Sequence, residues 1–176
     1  MRQGGRTRKY RRWTKLLIVC SNATHLIASA LVSKGPSTDT HLLKPAVSDA
    51  LKNMTIDTLL ADCGFDSEEN HRFCHNEADI RTVVIDVNER NLVYSKIGGF
   101  YRRLMQRYFP RKKFRQRWQV ESVFSRFKRR LGYALRARTD VSRSAECLFR
   151  VLTYNLMVVL FTLKRAILQG FSTKHI

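Results

Sequence analysis

The feature that most constrains this chain is a basic segment, residues 114–131 (FRQRWQVESVFSRFKRRL), whose only carboxylate is Glu121. At about 100° per residue, the apolar side chains of this segment share one side of an α-helix. They are Val120, Val123, Phe124, Phe127 and Leu131. Phe114, Arg117, Glu121 and Lys128 fall on an adjacent stripe about 60° wide. The pattern predicts a helix that buries one side and presents an acid between two cations at the rim of that side.

The charge balance indicates a polyanionic partner. The chain has 33 Lys and Arg against 14 Asp and Glu, a formal net charge of +19. An excess of this size most often accompanies nucleic-acid binding. A basic, ribosomal-type protein without catalytic activity has the same charge, so charge alone leaves both classes open. The length of 176 residues and the 44% hydrophobic content suffice for one globular domain with a core.

The cysteines and the amino terminus predict a cytoplasmic protein. The four cysteines are scattered without a CxxC pair, and residues 1–15 are polar and basic rather than a secretory signal. The apolar residues 151–163 are fewer than the roughly 20 residues that a membrane span needs. We therefore expect free thiols, no membrane partner, and a buried core helix in this part of the chain.

The order of the predicted elements indicates an α/β fold with helices packed on a sheet. Hydrophobic patterns predict strands at residues 13–20, 25–33, 56–61 and 80–87, the first two as a hairpin. They predict helices at residues 41–52, 67–76, 114–131 and 143–169, the last ending before Gly170. Residues 1–12 are predicted to be a flexible basic arm, residues 13–169 the domain, and residues 170–176 a tail.

Asp62 comes directly after the buried third strand. Active-site groups of open sheets gather at the carboxyl ends of strands, although an Asp at such a position is more often a cap or turn residue. Together with Glu121, Asp62 could hold Mg²⁺ against a phosphodiester, while the surrounding cations bind phosphate. The two acids therefore form the candidate catalytic and metal-binding pair.

Several motifs in the chain resemble the DDE transposases of bacterial insertion sequences. The segment LLADCGFDSEEN resembles the block around the second aspartate of that family. The spacing Phe114-x2-Arg117-x3-Glu121-x6-Lys128 matches the signature Y-x2-R-x3-E-x6-K that carries the third acid. The segments WTKLLIV, GPSTD and RVLTYNLMVVL are also similar, so the resemblance covers nearly all of residues 12–163.

The resemblance implies an RNase H-like catalytic core, a mixed sheet flanked by helices, that uses Mg²⁺ or Mn²⁺ to cut transposon ends and join them to target DNA. Asp62 would be the second metal-binding acid and Glu121 the third. Arg117 and Lys128 would contact DNA phosphate, and Phe114 takes the place of the usual Tyr without its hydroxyl. The neighbouring Arg111, Lys112 and Lys113 are expected to bind DNA as well. The implied location is the bacterial cytoplasm, in association with the nucleoid.

The chain departs from this family at the first acid. In the family that acid lies on a strand before the one that WTKLLIV resembles, and residues 1–12 contain no Asp or Glu. Asp39 is expected in a helix-capping loop and Asp86 in a strand after the second acid, so neither is expected to replace it. We therefore expect a carboxyl-terminal part of the catalytic domain that lacks the first strand.

This departure leaves three hypotheses about the function of the protein. The first is a transposase part that binds DNA but is a poor or inactive nuclease alone, with the first acid supplied from another reading frame or lost altogether. The second is a non-catalytic nucleic-acid-binding protein. The third is a regulator that forms homo-oligomers or mixed oligomers with a full-length transposase.

Overall fold

The structure, a computed structural model, describes residues 13–88 and 97–172. Its α/β content agrees with the predicted fold class. The elements in chain order are β1 (Trp13–Cys20), β2 (Ile27–Gly35), α1 (Leu43–Leu51), β3 (Thr58–Ala61), α2 (Glu68–Arg72), β4 (Thr82–Ile85), α3 (Phe100–Arg107), α4 (Arg111–Phe114), α5 (Trp118–Leu131) and α6 (Asp140–Ser172). The predicted basic arm, residues 1–12, and the end of the predicted tail, residues 173–176, lie outside the described residues.

Strands β1 and β2 form the predicted hairpin. They pair antiparallel from Trp13 opposite Gly35 to Cys20 opposite Ile27, with a register shift after Val19. The second strand begins two residues later than predicted because His25 belongs to the turn. Its φ is 61° and its N–H donates to Ser21 O at 2.8 Å, so the chain is not yet extended there.

Strands β3 and β4 form a second pair, which is parallel and in register from Thr58 opposite Thr82 to Ala61 opposite Ile85. Both strands are shorter than predicted. The crossover between them contains α2, whose first turn is capped by Ser67 Oγ at 3.0 Å from Asn70 N. The predicted helix over residues 67–76 continues past α2 as a π-helical turn, Phe73–Glu77. Ser67 is therefore the N-cap of α2.

The two strand pairs do not join into one sheet within the described residues. They form separate two-stranded sheets, β1–β2 and β3–β4, where the sequence predicts a single mixed sheet. Among the described residues, β1 pairs only with β2 and β3 only with β4, so the expected continuous sheet is not observed there.

Helices on both faces hold the two strand pairs together. On one face, Leu43 and Val47 of α1 pack with Leu59, Ala61 and the other buried residues of β3, β4 and α2, and α1 also contacts both strands of the hairpin. On the other face, α5 and α6 pack on the hairpin around Ile18 and Ile27. The result is three layers, with two helical layers enclosing the strands.

Helix α5 confirms the predicted apolar stripe but begins later than predicted. Val123 and Phe127 are buried against the hairpin, and the remaining members of the stripe are partly buried beside them. Phe114 ends α4, and residues 115–117 form a 3₁₀ turn before α5 begins at Trp118. A 3₁₀ turn has three residues per turn instead of 3.6. The single helical stripe predicted from Phe114 to Lys128 is therefore wrong at its amino-terminal end.

Helix α6 differs most from its prediction. It continues to Ser172 and so passes the predicted stop at Gly170, since a helix tolerates one glycine at a cost of about 1 kcal/mol. Only its inner stripe, Cys147, Val151 and Tyr154, is buried. Phe149 and Leu160 are 69% and 64% exposed, so the prediction of a buried core helix is wrong in the part of the chain that the structure describes. Most large apolar side chains in the second half of α6 are exposed in the described part of the chain.

The length and composition of α6 would also allow it to cross a membrane. Of its most apolar 18-residue window, 11% is buried. One such helix is weak evidence for a membrane span, because core helices of soluble proteins pass the same test.

The side chain of Asn155 fixes α6 to the end of β2. Its Oδ1 accepts from Ile27 N at 2.9 Å and its Nδ2 donates to Ile27 O at 2.8 Å. The amide therefore forms the two hydrogen bonds that a neighbouring strand would form, at a point where the register of the hairpin shifts.

Two acids attach α3 to the crossover of the parallel pair. Glu68 accepts from Phe100 N at 2.9 Å and from Arg102 N at 3.2 Å, so it satisfies the free amides of the first turn of α3. Asp66 is buried and pairs with Arg102 through Nη2 at 2.7 Å. Gly99 precedes this turn with φ 92°, and a Cβ there would collide with Glu68, so only glycine fits that position.

We predict that Asn155→Ala lowers the free energy of unfolding by about 1–3 kcal/mol, because two backbone groups of Ile27 lose their partner. Chemical denaturation followed by circular dichroism measures the change. Thr162→Ala is the matched control on the same helix, since its hydroxyl bonds only to Val158 O of α6 itself. Equal stability of the two variants would contradict the role given to Asn155.

We predict that Glu68→Gln destabilises the fold in a pH-dependent manner. Burial raises the pKa of Glu68, but the backbone N–H donors of α3 outweigh it, so the pKa lies below its ordinary value. A carboxylate with a lowered folded-state pKa contributes stability above its unfolded pKa of about 4.3, and that stability is lost as pH falls through the folded value. The difference in unfolding free energy between wild type and Glu68→Gln should therefore be largest above about pH 5 and shrink towards pH 3. Glu69→Gln, which removes an exposed charge from the same first turn of α2, is the matched control.

Candidate active site

Asp62 lies directly after β3, as predicted. Its Oδ1 accepts from Cys63 N at 2.8 Å, so it caps the 3₁₀ turn Cys63–Phe65. The side chain is 56% exposed, which leaves Oδ2 accessible. The capping role that the sequence left open is therefore real, and it orients the carboxylate at the end of the strand.

Glu121 lies in the first turn of α5, where the helix dipole favours a negative charge. Its side chain is 63% exposed. One turn earlier, Arg117 Nη2 lies 2.8 Å from Glu121 Oε1, and Arg117 Nη1 lies 3.9 Å from Asp62 Oδ2. A single guanidinium thus brings together the two acids that the sequence predicts as a pair.

Phe114 supports this guanidinium from the other side. The Cζ of Arg117 lies 5.7 Å from the centroid of the Phe114 ring, within the range of a cation–π contact. Phe109 packs edge-on against the same ring at 4.9 Å between centroids. Both contacts use the ring and neither uses a hydroxyl, so Phe in place of Tyr preserves the support of Arg117.

The other predicted DNA-binding residues lie on the outer side of the same elements. Arg111, Lys112 and Lys113 form most of α4 and are exposed. Lys128 lies seven residues after Glu121, about 10 Å along the helix, with its Nζ 6.0 Å from the centroid of Phe124. Lys128 is therefore separated from the acid pair, and no contact is found between them. Together these cations extend a positive surface along α4 and α5.

The described residues bring no third ligand to the two acids. Among residues 13–88 and 97–172, no three His, Cys, Asp or Glu side chains lie close enough together to hold a metal ion. Asp86 follows β4, and its N–H donates to Ala61 O at 3.4 Å, yet it does not complete such a group. Asp66 is already paired with Arg102. Two carboxylates can contribute to a divalent site, with water or substrate oxygens filling the remaining positions.

From the family resemblance, Arg117 was expected to contact DNA phosphate. Its contact with both Asp62 and Glu121 was not predicted. The spacing of Arg117 and Glu121, four residues apart on one helical side, is a signal that could have predicted their ion pair. Its approach to Asp62 could not be read from spacing, because it depends on how α5 is placed over β3.

A cavity of about 440 Å³ lies between the two strand pairs and reaches the end of β3. Asp62 and Arg117 line one part of it. Residues 16–22 of the hairpin and residues 54–62, which include β3, line its sides, and α1 and α5 contribute Val47 and Phe124. Asp62 and Arg117 therefore adjoin a partly open, largely apolar space, and an exposed basic surface lies next to them.

The comparisons with known proteins support one family. No curated protein and no solved structure matches the chain. A family model described as "Transposase DDE domain" matches residues 1–156, which include all four strands and both candidate acids. That family acts in DNA transposition, binds DNA as its substrate and generally uses divalent metal ions, and its members are typically soluble and cytoplasmic. With most of its length matched by this domain, the chain belongs to the DDE transposase family.

Proposed function

We propose that this protein binds DNA in transposition and that Asp62 and Glu121 are two of the acids of its divalent-metal site. The observation that supports the pair is their convergence on Arg117, from two elements separated by more than 50 residues. Incidental acids on a chain with a net charge of +19 would each have many other cations to pair with. We further propose that residues 13–169 are a partial RNase H-like core.

The acid pair fits a divalent ion by its donor chemistry. Carboxylate oxygens are preferred ligands of Mg²⁺ and Mn²⁺, and both side chains are more than half exposed. When bound, such an ion polarises the phosphodiester and activates the attacking oxygen. Asp62 and Glu121 would hold it. Arg117, which neutralises both acids, would then be free to contact the phosphate of the DNA strand.

The positive surface of α4 and α5 is proposed to bind the DNA backbone. Arg111, Lys112 and Lys113 supply three adjacent exposed cations, and Lys128 extends the surface towards the end of α5. Contacts of this kind place a protein on DNA without reading its sequence. They would hold the strand along α4 and α5 with the acid pair at its side.

We propose that this 176-residue polypeptide by itself is a poor or inactive nuclease. A two-metal centre requires more carboxylate ligands than the two found together among the described residues. The contacts with Arg117 also lower the affinity of both carboxylates for a metal ion, because the ion has to compete with the guanidinium group. DNA binding and catalysis are therefore separable in this protein.

A regulatory role through oligomers is the second candidate function. The exposed apolar side chains of α6 favour it, since Phe149, Leu152, Leu156 and Leu163 are each more than 45% exposed. Contiguous apolar surfaces of this kind are typical of protein–protein contacts. Such a protein would bind a full-length transposase through α6 and DNA through α4 and α5.

We predict that Mn²⁺ binds weakly and that Asp62→Asn or Glu121→Gln removes this binding. Arg117→Gln should strengthen it several-fold, because the ion no longer competes with an internal cation. Isothermal titration calorimetry measures all four proteins, with Glu69→Gln as the control that removes a similar exposed charge elsewhere. Binding that survives both acid substitutions would contradict the proposed site. Metal-dependent cleavage of transposon-end DNA that Glu121→Gln abolishes would contradict the proposed inactivity.

We predict that replacing Lys112 and Lys113 together by Ala weakens DNA binding and lowers its salt dependence. Each lost phosphate contact should reduce the slope of log K against log salt by about 0.9. Fluorescence anisotropy with a labelled duplex measures both quantities. Lys44→Ala with Lys52→Ala removes the same charge from α1 and its end, and should leave the slope nearly unchanged. Equal losses in the two double variants would mean that net charge, rather than the α4–α5 surface, drives binding.

A further inference from the structure

A second cavity, of about 450 Å³, lies where α5 passes the turn of the β1–β2 hairpin. Among the described residues, it shares none of its lining with the cavity at the end of β3. Its volume is within the range of small-molecule sites, and none of the described residues that line it is acidic. The polar side chains of the lining are His25, Gln119, Ser122, Ser125, Arg126 and Arg129. A lining that is cationic and rich in hydrogen-bond donors favours an anionic ligand.

Two arginines on α5 provide the positive charge of this cavity. Arg126 Nε donates to Ser122 O at 3.3 Å, one turn earlier on the helix. Arg129 Nε donates to Ser125 O at 3.4 Å in the same way. Side chains three residues apart are neighbours on a helix surface, and no ion pair in the part of the chain that the structure describes involves either arginine. Their terminal amino groups can therefore donate to an anion, whose charge would offset the repulsion between them.

Two polar atoms of the lining residues lack a hydrogen-bond partner among the described residues. They are His25 Nδ1 and Gln119 Oε1, and both are shielded from solvent. The hairpin turn holds the imidazole in place, since His25 N donates to Ser21 O at 2.8 Å and Ser21 N donates to Leu26 O at 2.9 Å. Buried polar atoms nearly always have a partner, and a bound ion is one explanation for an exception. A ligand that contacts both atoms would satisfy them.

The charge of the cavity also acts on His25. Burial, and then the positive charge of Arg126, lower the pKa of His25 from its ordinary value of 6.5. The imidazole is therefore uncharged at neutral pH and can either donate or accept at Nδ1. A bound dianion would offset the charge of Arg126 and stabilise the imidazolium, so it would raise this pKa. Anion binding and protonation of His25 are therefore linked.

The donors and acceptors of the cavity fit a phosphate that carries a hydroxylated group. Guanidinium and hydroxyl donors bind phosphate oxygens, and two adjacent arginines suit the dianionic form. A fully ionised phosphate only accepts hydrogen bonds, so it would leave Gln119 Oε1 without a donor. A hydroxyl on the attached part of the ligand would donate to this atom. A cavity of about 450 Å³ has room for a phosphate together with a small sugar.

We propose that this cavity binds a small sugar phosphate, with the phosphate between Arg126 and Arg129 and a sugar hydroxyl donating to Gln119 Oε1. The site is separate from the α4–α5 surface proposed to bind DNA. About 100° to 160° around the helix separate Lys128 from the two arginines, and α4 contributes none of the described lining residues. Neither the acid pair nor DNA binding is needed for this site, so its test is independent of the proposed function.

Isothermal titration calorimetry with ribose 5-phosphate tests the site, with inorganic phosphate and ribose as comparison ligands. We expect ribose 5-phosphate to bind, inorganic phosphate to bind several-fold more weakly, and ribose not to bind. Arg126→Gln with Arg129→Gln should weaken the binding of ribose 5-phosphate at least about 30-fold, because two charge-assisted contacts are lost. Arg103→Gln with Arg107→Gln removes the same charge from exposed positions of α3 and should change this binding less than about twofold.

Two further measurements separate the contacts within the site. Gln119→Ala should lower the affinity for ribose 5-phosphate to about that of inorganic phosphate and leave the affinity for inorganic phosphate unchanged. An unchanged affinity for ribose 5-phosphate would contradict the hydroxyl contact. The pKa of His25, followed by NMR with His25→Gln to assign its signal, should rise in the complex. A pKa that does not move would contradict the position of the phosphate beside Arg126.

Three calorimetric outcomes would overturn the site as a whole. They are no binding of ribose 5-phosphate to the folded wild type, equal losses in the two arginine double variants, and ribose binding as tightly as ribose 5-phosphate. A single-stranded oligonucleotide with hydroxyl ends carries phosphodiesters only, and we expect it not to displace ribose 5-phosphate. Displacement that Arg126→Gln with Arg129→Gln abolishes would assign the cavity to the DNA backbone and contradict the sugar-phosphate site.

Discussion

Helix packing across two separate strand pairs is the constraint on which this structure depends. In the described part of the chain no backbone hydrogen bonds join the β1–β2 and β3–β4 pairs, so side-chain contacts from the two helical layers set their relative position. On one face α1 buries Leu43 and Val47 against β3 while it also contacts the hairpin. On the other face α5 buries Val123 and Phe127 against the hairpin, and Arg117 reaches Asp62 at the end of β3. Loss of either helix would separate the two halves of the candidate site.

The acid pair is a direct consequence of that bridging. Asp62 is placed by the end of a parallel strand and by its cap on Cys63 N, whereas Glu121 is placed by a helix of the opposite layer. Arg117 connects them, and Phe114 supports Arg117. Three residues of the sequence signature, together with Asp62, thus form a physical chain from an aromatic ring through a cation to two carboxylates. In the absence of a metal ion the cation keeps the acids from repelling each other.

The surfaces that remain exposed have different chemistry. The basic surface of α4 and α5 suits a phosphate backbone, and the cavity beside Asp62 is lined largely by apolar side chains. Helix α6 exposes an apolar surface beyond its anchor at Asn155, where most large apolar side chains of its second half are exposed.

Sequence patterns alone were sufficient for the family, the hairpin, the apolar stripe of α5 and the position of Asp62 after a strand. Each of these depends on local periodicity or on the spacing of a short motif, which a sequence records directly. The break before Trp118, the exposure of α6 and the separation of the two sheets could not be predicted, since each depends on which surfaces are present for packing. The ion pair of Arg117 with Asp62 was decided by tertiary structure as well. The residue types at the site are a property of the sequence, but their contact exists because α5 crosses the end of β3.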